Sequence, residues 1–171
     1  SFTKRLLQGI DAFTRGFGKC LSWLLLLMMV ASCLVVILRY GFGIGIIALQ
    51  ESVTYLHGTV FMLGAAYTLQ QNEHVRVDIF YRNYSERKKA WIDALGILIF
   101  LLPFCALIFL SSLGFVGNSW GMRETSGEPG GIPAVFLLKS LVPLMAVLLA
   151  IQGIAELLRN TLIICEGHNN D

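Results

Sequence analysis

The most evident shortage in this sequence is of charge. Only 14% of its 171 residues are charged and 56% are hydrophobic, whereas an average soluble domain carries about 25% charged residues. Four cysteines are present, and since no two form a CxxC pair, the sequence offers no motif for a metal or a redox dithiol. No internal repeat is visible. These shortages argue against a soluble domain and against metal or redox chemistry.

The sequence is instead rich in long apolar runs. A helix needs ~20 apolar residues to cross the ~30 Å hydrocarbon core of a bilayer, and in lipid a helix satisfies its own backbone hydrogen bonds. The sequence therefore predicts an all-α integral membrane protein, a single membrane domain over residues 1–171, with four transmembrane helices. The predicted spans are 20–38, 46–69, 90–117 and 132–158, and residues 159–171 form a predicted cytoplasmic tail.

The basic residues are unevenly distributed between the ends of these spans. Of the thirteen Lys and Arg residues, all but Arg39, Arg123 and Lys139 lie before the first span, between the second and third, or after the fourth. Cytoplasmic loops carry an excess of basic residues, so both termini are predicted to be cytoplasmic. The net charge of +2 follows from this topology and does not indicate a nucleic-acid partner.

The first eighteen residues have an amphipathic pattern. Apolar residues recur every three or four positions, with basic and polar residues on the other side: Phe2, Leu6, Ile10, Phe13 and Phe17 against Lys4, Arg5, Gln8, Asp11 and Arg15. This pattern is typical of a helix lying in the membrane interface. A helix docked on another protein has the same pattern, so both interpretations stay open for residues 1–18.

Local signals indicate where later helices begin and bend. Ser85 is a predicted N-cap, with Glu86 in the first helical turn. Pro103 and Pro143 fall inside the third and fourth spans and are expected to kink them. Between these spans, residues 118–133 are rich in turn formers and include Glu128, a candidate interface residue.

Ionisable residues inside spans are costly and are candidates for function. Glu51 near the start of the second span is either a proton or cation site or a structural clamp, and Arg39 is its expected partner. His57 lies deeper and is expected to form a hydrogen bond with a neighbouring helix. Lys139 is expected to extend toward the interface. Glu156 and Arg159 are three residues apart and are expected to pair.

Small residues on the second span, Gly58, Gly64, Ala65 and Ala66, indicate close helix packing. They are compatible with packing inside this chain and with a docking face for a larger partner.

Five segments carry recognisable local patterns: Val36-Ile37-Leu38-Arg39-Tyr40, Gln50-Glu51, Gly64-Ala65-Ala66-Tyr67-Thr68-Leu69, Asn72-Glu73-His74-Val75-Arg76-Val77-Asp78, and residues 133–153. Together these segments resemble the small membrane subunit, the Q subunit, of tripartite ATP-independent periplasmic (TRAP) transporters. The segment with His74, Arg76 and Asp78 is the most specific of these.

This resemblance implies a function and a set of partners. The chain would be a non-catalytic scaffold subunit in the inner membrane of a bacterium. It would brace a large membrane subunit, the M subunit, and add docking surface for a periplasmic substrate-binding protein that delivers an organic acid. The sodium and substrate sites would lie in the large subunit, so no cofactor is expected here. Structural roles would fall to Arg39, Glu51, His74, Arg76 and Asp78. Membrane lipids would surround the subunit.

Two other functional classes remain open. A small four-helix proton-coupled multidrug antiporter, acting as a homodimer, uses a membrane-embedded carboxylate, and the first span has none. An accessory subunit of a respiratory complex is disfavoured because paired histidines and cysteine clusters are missing.

Overall fold

The computed structural model of the protein describes residues 2–72 and 79–166. All regular elements within these residues are helical, which confirms the all-α prediction. The α-helices are α1 (Phe2–Val36), α2 (Ile47–Gln70), α3 (Glu86–Gly96), α4 (Leu102–Met122) and α5 (Val135–Glu166). Two π-helical turns, Ile37–Gly41 and Ile97–Leu101, extend α1 and join α3 to α4. A short 3₁₀ turn, Tyr81–Asn83, precedes α3.

The first helix differs from its prediction because α1 is continuous from Phe2 to Val36. The expected interfacial helix, 1–18, and the expected first span, 20–38, are one rod, with no proline to interrupt it. Its buried residues include Leu7, Thr14 and Leu21, while Phe2 and Phe13 on the predicted apolar face are exposed. The first half of α1 therefore packs on this chain through a face that the amphipathic pattern did not select.

The third predicted span consists of α3, a π-helical turn and α4. The N-cap prediction is confirmed, since the backbone N–H of Lys88 donates to Oγ of Ser85 over 3.4 Å. Pro103 is the second residue after the π-helical turn. Because proline has no N–H to donate to the carbonyl four residues before it, the helical ladder is interrupted at this point. The sequence predicted a kink at Pro103, and the structure shows a π-helical turn just before this residue.

The last helix, α5, occupies the centre of the molecule. It packs against α1, α2, α3 and α4, and its buried residues include Ala146, Leu149 and Ala155. The helix continues through Pro143. The chain beyond α4 returns to α5 through residues 123–134, called here the connector.

Three helical segments of the described residues are long and apolar enough to cross a membrane: Phe2–Gly41, Glu86–Met122 and Val135–Glu166. They correspond to the first, third and fourth predicted spans, and their exposed surfaces carry large apolar side chains such as Leu26, Leu107 and Leu110. The fourth long helix, α2, has 24 residues but is not among the three, because Gln50, Glu51 and His57 dilute its apolar content. The chain is thus an all-α membrane protein.

Candidate functional site

Glu51, on the first turns of α2, binds the connector. Its Oε1 accepts a hydrogen bond from the hydroxyl of Ser126, and its Oε2 accepts one from the backbone N–H of Ile132 at 2.7 Å. A Cβ atom at position 131 would lie 2.8 Å from Oε2 of Glu51, so any other residue at this position would have to displace that carboxylate. The carboxylate therefore clamps the connector to α2.

The prediction that Arg39 pairs with Glu51 was wrong. Among the described residues, no ion pair joins Arg39 to Glu51, and Arg39 is exposed on the π-helical turn that ends α1. The clamp uses a hydroxyl and a backbone N–H because residues 126–132 pass directly over the start of α2.

A second contact ties the connector to α5. Nζ of Lys139 forms an ion pair with Oε2 of Glu124, and the same oxygen accepts a hydrogen bond from the hydroxyl of Ser119 at 2.7 Å. Lys139 also lies over the ring of Phe115, 4.3 Å from its centroid. These hydrogen bonds from Lys139 and Ser119 lower the pKa of Glu124 below its ordinary value of 4.5. Lys139 therefore reaches out of α5 to the connector and is held there by Glu124.

The sequence interpretation missed Glu124 because its two partners lie on different helices. In the structure, Arg123 directly follows α4 and has a left-handed φ of 46°. The left-handed conformation of Arg123 turns the chain, so that the N–H of Glu124 donates to the carbonyl of Ser119. The predicted interface residue Glu128 has an exposed side chain, while its N–H donates to Oγ of Ser126 at 3.2 Å.

An aromatic contact lies beside this ion pair. Nε1 of Trp120 donates to Oγ of Ser140 at 2.7 Å, and its ring meets Phe136 edge-on with the centroids 4.7 Å apart. We call the group Glu51, Ser126, Ile132, Glu124 and Lys139 the connector cluster. It fastens one end of α2, α4 and α5 together.

A polar network, which we call the Gln152 network, joins α1, α2 and α5 at the other end of α2. Gln152 is fully buried, and its Oε1 accepts from the hydroxyl of Thr14 at 2.9 Å. Its Nε2 donates to Oε1 of Glu156 at 3.1 Å. The side-chain amide of Gln70 donates to the backbone carbonyl of Asp11 at 2.8 Å. A buried amide is tolerated here because its donors and acceptors have partners.

Arg159 provides the positive charge of this network. Its NH1 lies 2.7 Å from Oε1 of Glu156, which confirms the pair expected from their spacing. Its NH2 lies 2.6 Å from Oδ2 of Asp11, a contact that the sequence did not indicate. Asp11 was placed on the polar, outward side of the first helix, but it faces α5 and holds α1 on it.

His57 does not form the predicted hydrogen bond with a neighbouring helix of the described residues. Its side chain is exposed and stacks on Phe61, one helical turn later, with ring centroids 6.0 Å apart. Within residues 2–72 and 79–166, no hydrogen bond reaches its ring from a neighbouring helix. A partner for His57 would therefore have to come from outside these residues.

Glycines mark close helix contacts, some of them at predicted positions. A Cβ atom at Gly58 would lie 3.2 Å from Cδ1 of Leu138 on α5, and one at Gly64 would lie 3.9 Å from Cδ1 of Leu21 on α1. The tightest contact was not predicted: a Cβ atom at Gly18 would overlap the ring of Tyr67. These distances assign the small residues of α2 to packing inside the chain.

Three predicted residues, His74, Arg76 and Asp78, lie outside the described residues. Among the described residues, a cavity of ≈ 940 Å³ opens between the end of α2, α3 and α5. Its polar rim includes Lys89, Glu86 and Asp93. In the part of the chain that the structure describes, no group of three or more His, Cys, Asp or Glu residues is arranged to hold a metal ion.

Comparison with known proteins agrees with the predicted class. A family model, "Tripartite ATP-independent periplasmic transporters, DctQ component", matches residues 28–162. A protein of Haemophilus influenzae with the name "Putative TRAP transporter small permease protein" is 30% identical over 113 residues, which are 66% of this chain and 70% of that protein. No solved structure matches. Since the family model covers most of the chain, including α2, α4 and nearly all of α5, the chain belongs to the DctQ family: it is a small subunit of a TRAP transporter and not an enzyme.

Proposed function

We propose that this subunit is a scaffold in a sodium-coupled secondary transporter that imports an organic acid. The observation that carries the proposal concerns four carboxylates within residues 2–72 and 79–166, on or beside the long helices, each of which serves an internal contact. Glu51 and Glu124 hold the connector, and Asp11 and Glu156 hold Arg159. Carboxylates occupied in this way fit a bracing role better than a role in carrying protons or cations.

The proposed topology has four spans, with both termini in the cytoplasm of a bacterium and the helices in its inner membrane. The positive-inside distribution of basic residues supports this orientation. It places the connector cluster on the periplasmic side and the Gln152 network on the cytoplasmic side. The packing of α2 between α1 and α5 supports its assignment as the remaining span, since both of these neighbours are proposed spans.

Family membership implies two partners, a large membrane subunit and a periplasmic binding protein. The connector, held rigidly by Glu51 and Lys139, offers a firm surface on the periplasmic side for the binding protein. The substrate and sodium sites are assigned to the large subunit, as the family resemblance implies.

The test is a transport measurement in proteoliposomes with purified components. Sodium-dependent uptake of a carboxylate, delivered by the binding protein, is expected only when this chain and the large subunit are both present. Removal of this chain should abolish uptake, and restoring it should recover uptake. Proton-coupled efflux by this chain alone would contradict the proposal and favour the antiporter class.

A further inference from the structure

One face of α2 is polar and exposed, unlike the exposed faces of the other long helices. The exposed residues of α2 are Ile47, Gln50, Thr54, His57 and Phe61, which we call the α2 stripe. They follow one another at intervals of three, four, three and four residues. This is the spacing of a seam along which a second helix packs, since such residues line one side of the helix.

The position of the α2 stripe makes its polarity costly. A helix of 24 residues is about 36 Å long, so His57 lies near its midpoint, close to the centre of the proposed span. Polar groups in hydrocarbon carry a free-energy cost unless they are hydrogen-bonded, and they normally face protein or water. Within the described residues, the side chains of Gln50, Thr54 and His57 make no hydrogen bond.

The other exposed faces show the contrast. Along residues 20–36 of α1 and along α4 the exposed surface carries large apolar residues, for example Leu26 and Val30 on α1 and Leu107 and Leu110 on α4. The hydroxyl of Ser111, which is exposed on α4, donates to the carbonyl of Ile108 in its own helix. Such surfaces are suited to lipid. The α2 stripe, with an amide, a hydroxyl and an imidazole in sequence, is suited to a protein surface that offers hydrogen-bonding groups.

We infer that the α2 stripe is the face on which a transmembrane helix of the large membrane subunit packs, with a hydrogen-bonding side chain opposite His57. The inference rests on the proposed function, which supplies the large subunit as partner. It assigns the polar residues of α2 to the interface and leaves α1 and α4 to face lipid with Leu26 and Leu110. It also explains why α2 has less apolar character than the other three long helices.

Photo-crosslinking in the assembled complex tests the inference. A benzophenone analogue of phenylalanine is placed at position 61, on the stripe, and in a matched control at position 110 on α4, which is 67% exposed where Phe61 is 70% exposed. We expect the probe at 61 to crosslink to the large subunit and the probe at 110 not to do so. A crosslink from 61 to a second copy of this chain, or only to lipid, would overturn the inference while the large subunit still co-purifies.

A pair of substitutions at His57 tests the hydrogen bond itself. His57→Leu should reduce the amount of large subunit that co-purifies in detergent, and His57→Gln, which keeps a hydrogen-bonding group, should largely retain it. Ser111→Ala on the exposed face of α4 is the control, because that hydroxyl donates to the carbonyl of Ile108 in its own helix. Equal co-purification with His57→Leu and the unaltered chain would overturn the role of His57. If the unaltered chain brings down no large subunit, the proposed function itself fails, and this result is distinct from the others.

Discussion

Oε2 of Glu51 accepts a hydrogen bond from the backbone N–H of Ile132, 81 residues later in the chain, at 2.7 Å. This contact joins the start of α2 to the residue that leads into α5. Because the other carboxylate oxygen holds the hydroxyl of Ser126, one side chain determines where both ends of a seven-residue segment lie. The role of Glu51 is therefore accessible to measurements of stability.

Glu51→Gln should lower the melting temperature of the purified complex by several degrees, because a neutral amide accepts hydrogen bonds more weakly than a carboxylate. Sodium stoichiometry should stay unchanged. The measurement pairs thermal unfolding with sodium-flux counting in proteoliposomes. Glu128→Gln, in the same connector but exposed, is the control. Unchanged melting with altered stoichiometry would show that Glu51 is part of the transport site.

The ion pair of Glu124 and Lys139 should make the connector sensitive to acid. Since the pKa of Glu124 is lower in the folded protein than its ordinary value of 4.5, its contribution to stability is complete above that value. It is lost as the pH falls through the lower, folded-state pKa. Melting temperatures measured from pH 7 down to pH 3 should therefore decrease less steeply in Glu124→Gln than in the unaltered chain. Parallel curves for the two proteins would contradict this role.

The contact of Asp11 with Arg159 should hold the first half of α1 on α5. Asp11→Asn should lower the free energy of unfolding by about 1–2 kcal/mol. This is at the low end for a charged hydrogen bond, because the side chain of Arg159 is 37% exposed. A double-mutant cycle with Arg159→Met isolates the coupling energy of the pair. Chemical denaturation monitored by circular dichroism provides the four free energies. Additive effects of the two substitutions would mean that the pair contributes nothing.

Two glycines on α1 provide a matched test of helix packing. Gly18→Ala places a methyl group against the ring of Tyr67, whereas Gly16→Ala meets nothing within 4 Å. Overpacking typically costs about 1–3 kcal/mol, so Gly18→Ala should destabilise the bundle, and Gly16→Ala should be neutral or mildly stabilising because alanine favours helices. Thermal unfolding of the two variants checks this. Equal melting temperatures would show that α1 and α2 do not pack as described.

The sequence predicted local features of the structure correctly, because these features depend on residues that are close together in the chain. The cap at Ser85 and the pair of Glu156 and Arg159 depend on residues a few positions apart. Three apolar runs were enough to indicate long membrane helices. The fold class follows from these features alone.

Contacts between distant residues were not accessible in the same way. Asp11 and Arg159 are separated by 148 positions, and no periodicity shows which face of α1 meets α5. The predicted ion pair of Arg39 with Glu51 was wrong. The prediction rested on their closeness along the chain, but Arg39 lies exposed on the π-helical turn. Helix rotation and the path of the connector decide such contacts, and both are properties of the packed bundle.

The unbroken length of α1 has a mechanical consequence. Its 35 residues form a rod about 52 Å long, whereas the hydrocarbon layer is ~30 Å thick. A rod of this length, fastened along its side to α2 and α5, resists being pushed deeper or tipped over, since any such displacement would have to move the entire bundle. The length of α1 thus fits the proposed scaffold role, because it fixes the depth and tilt of the subunit in the membrane.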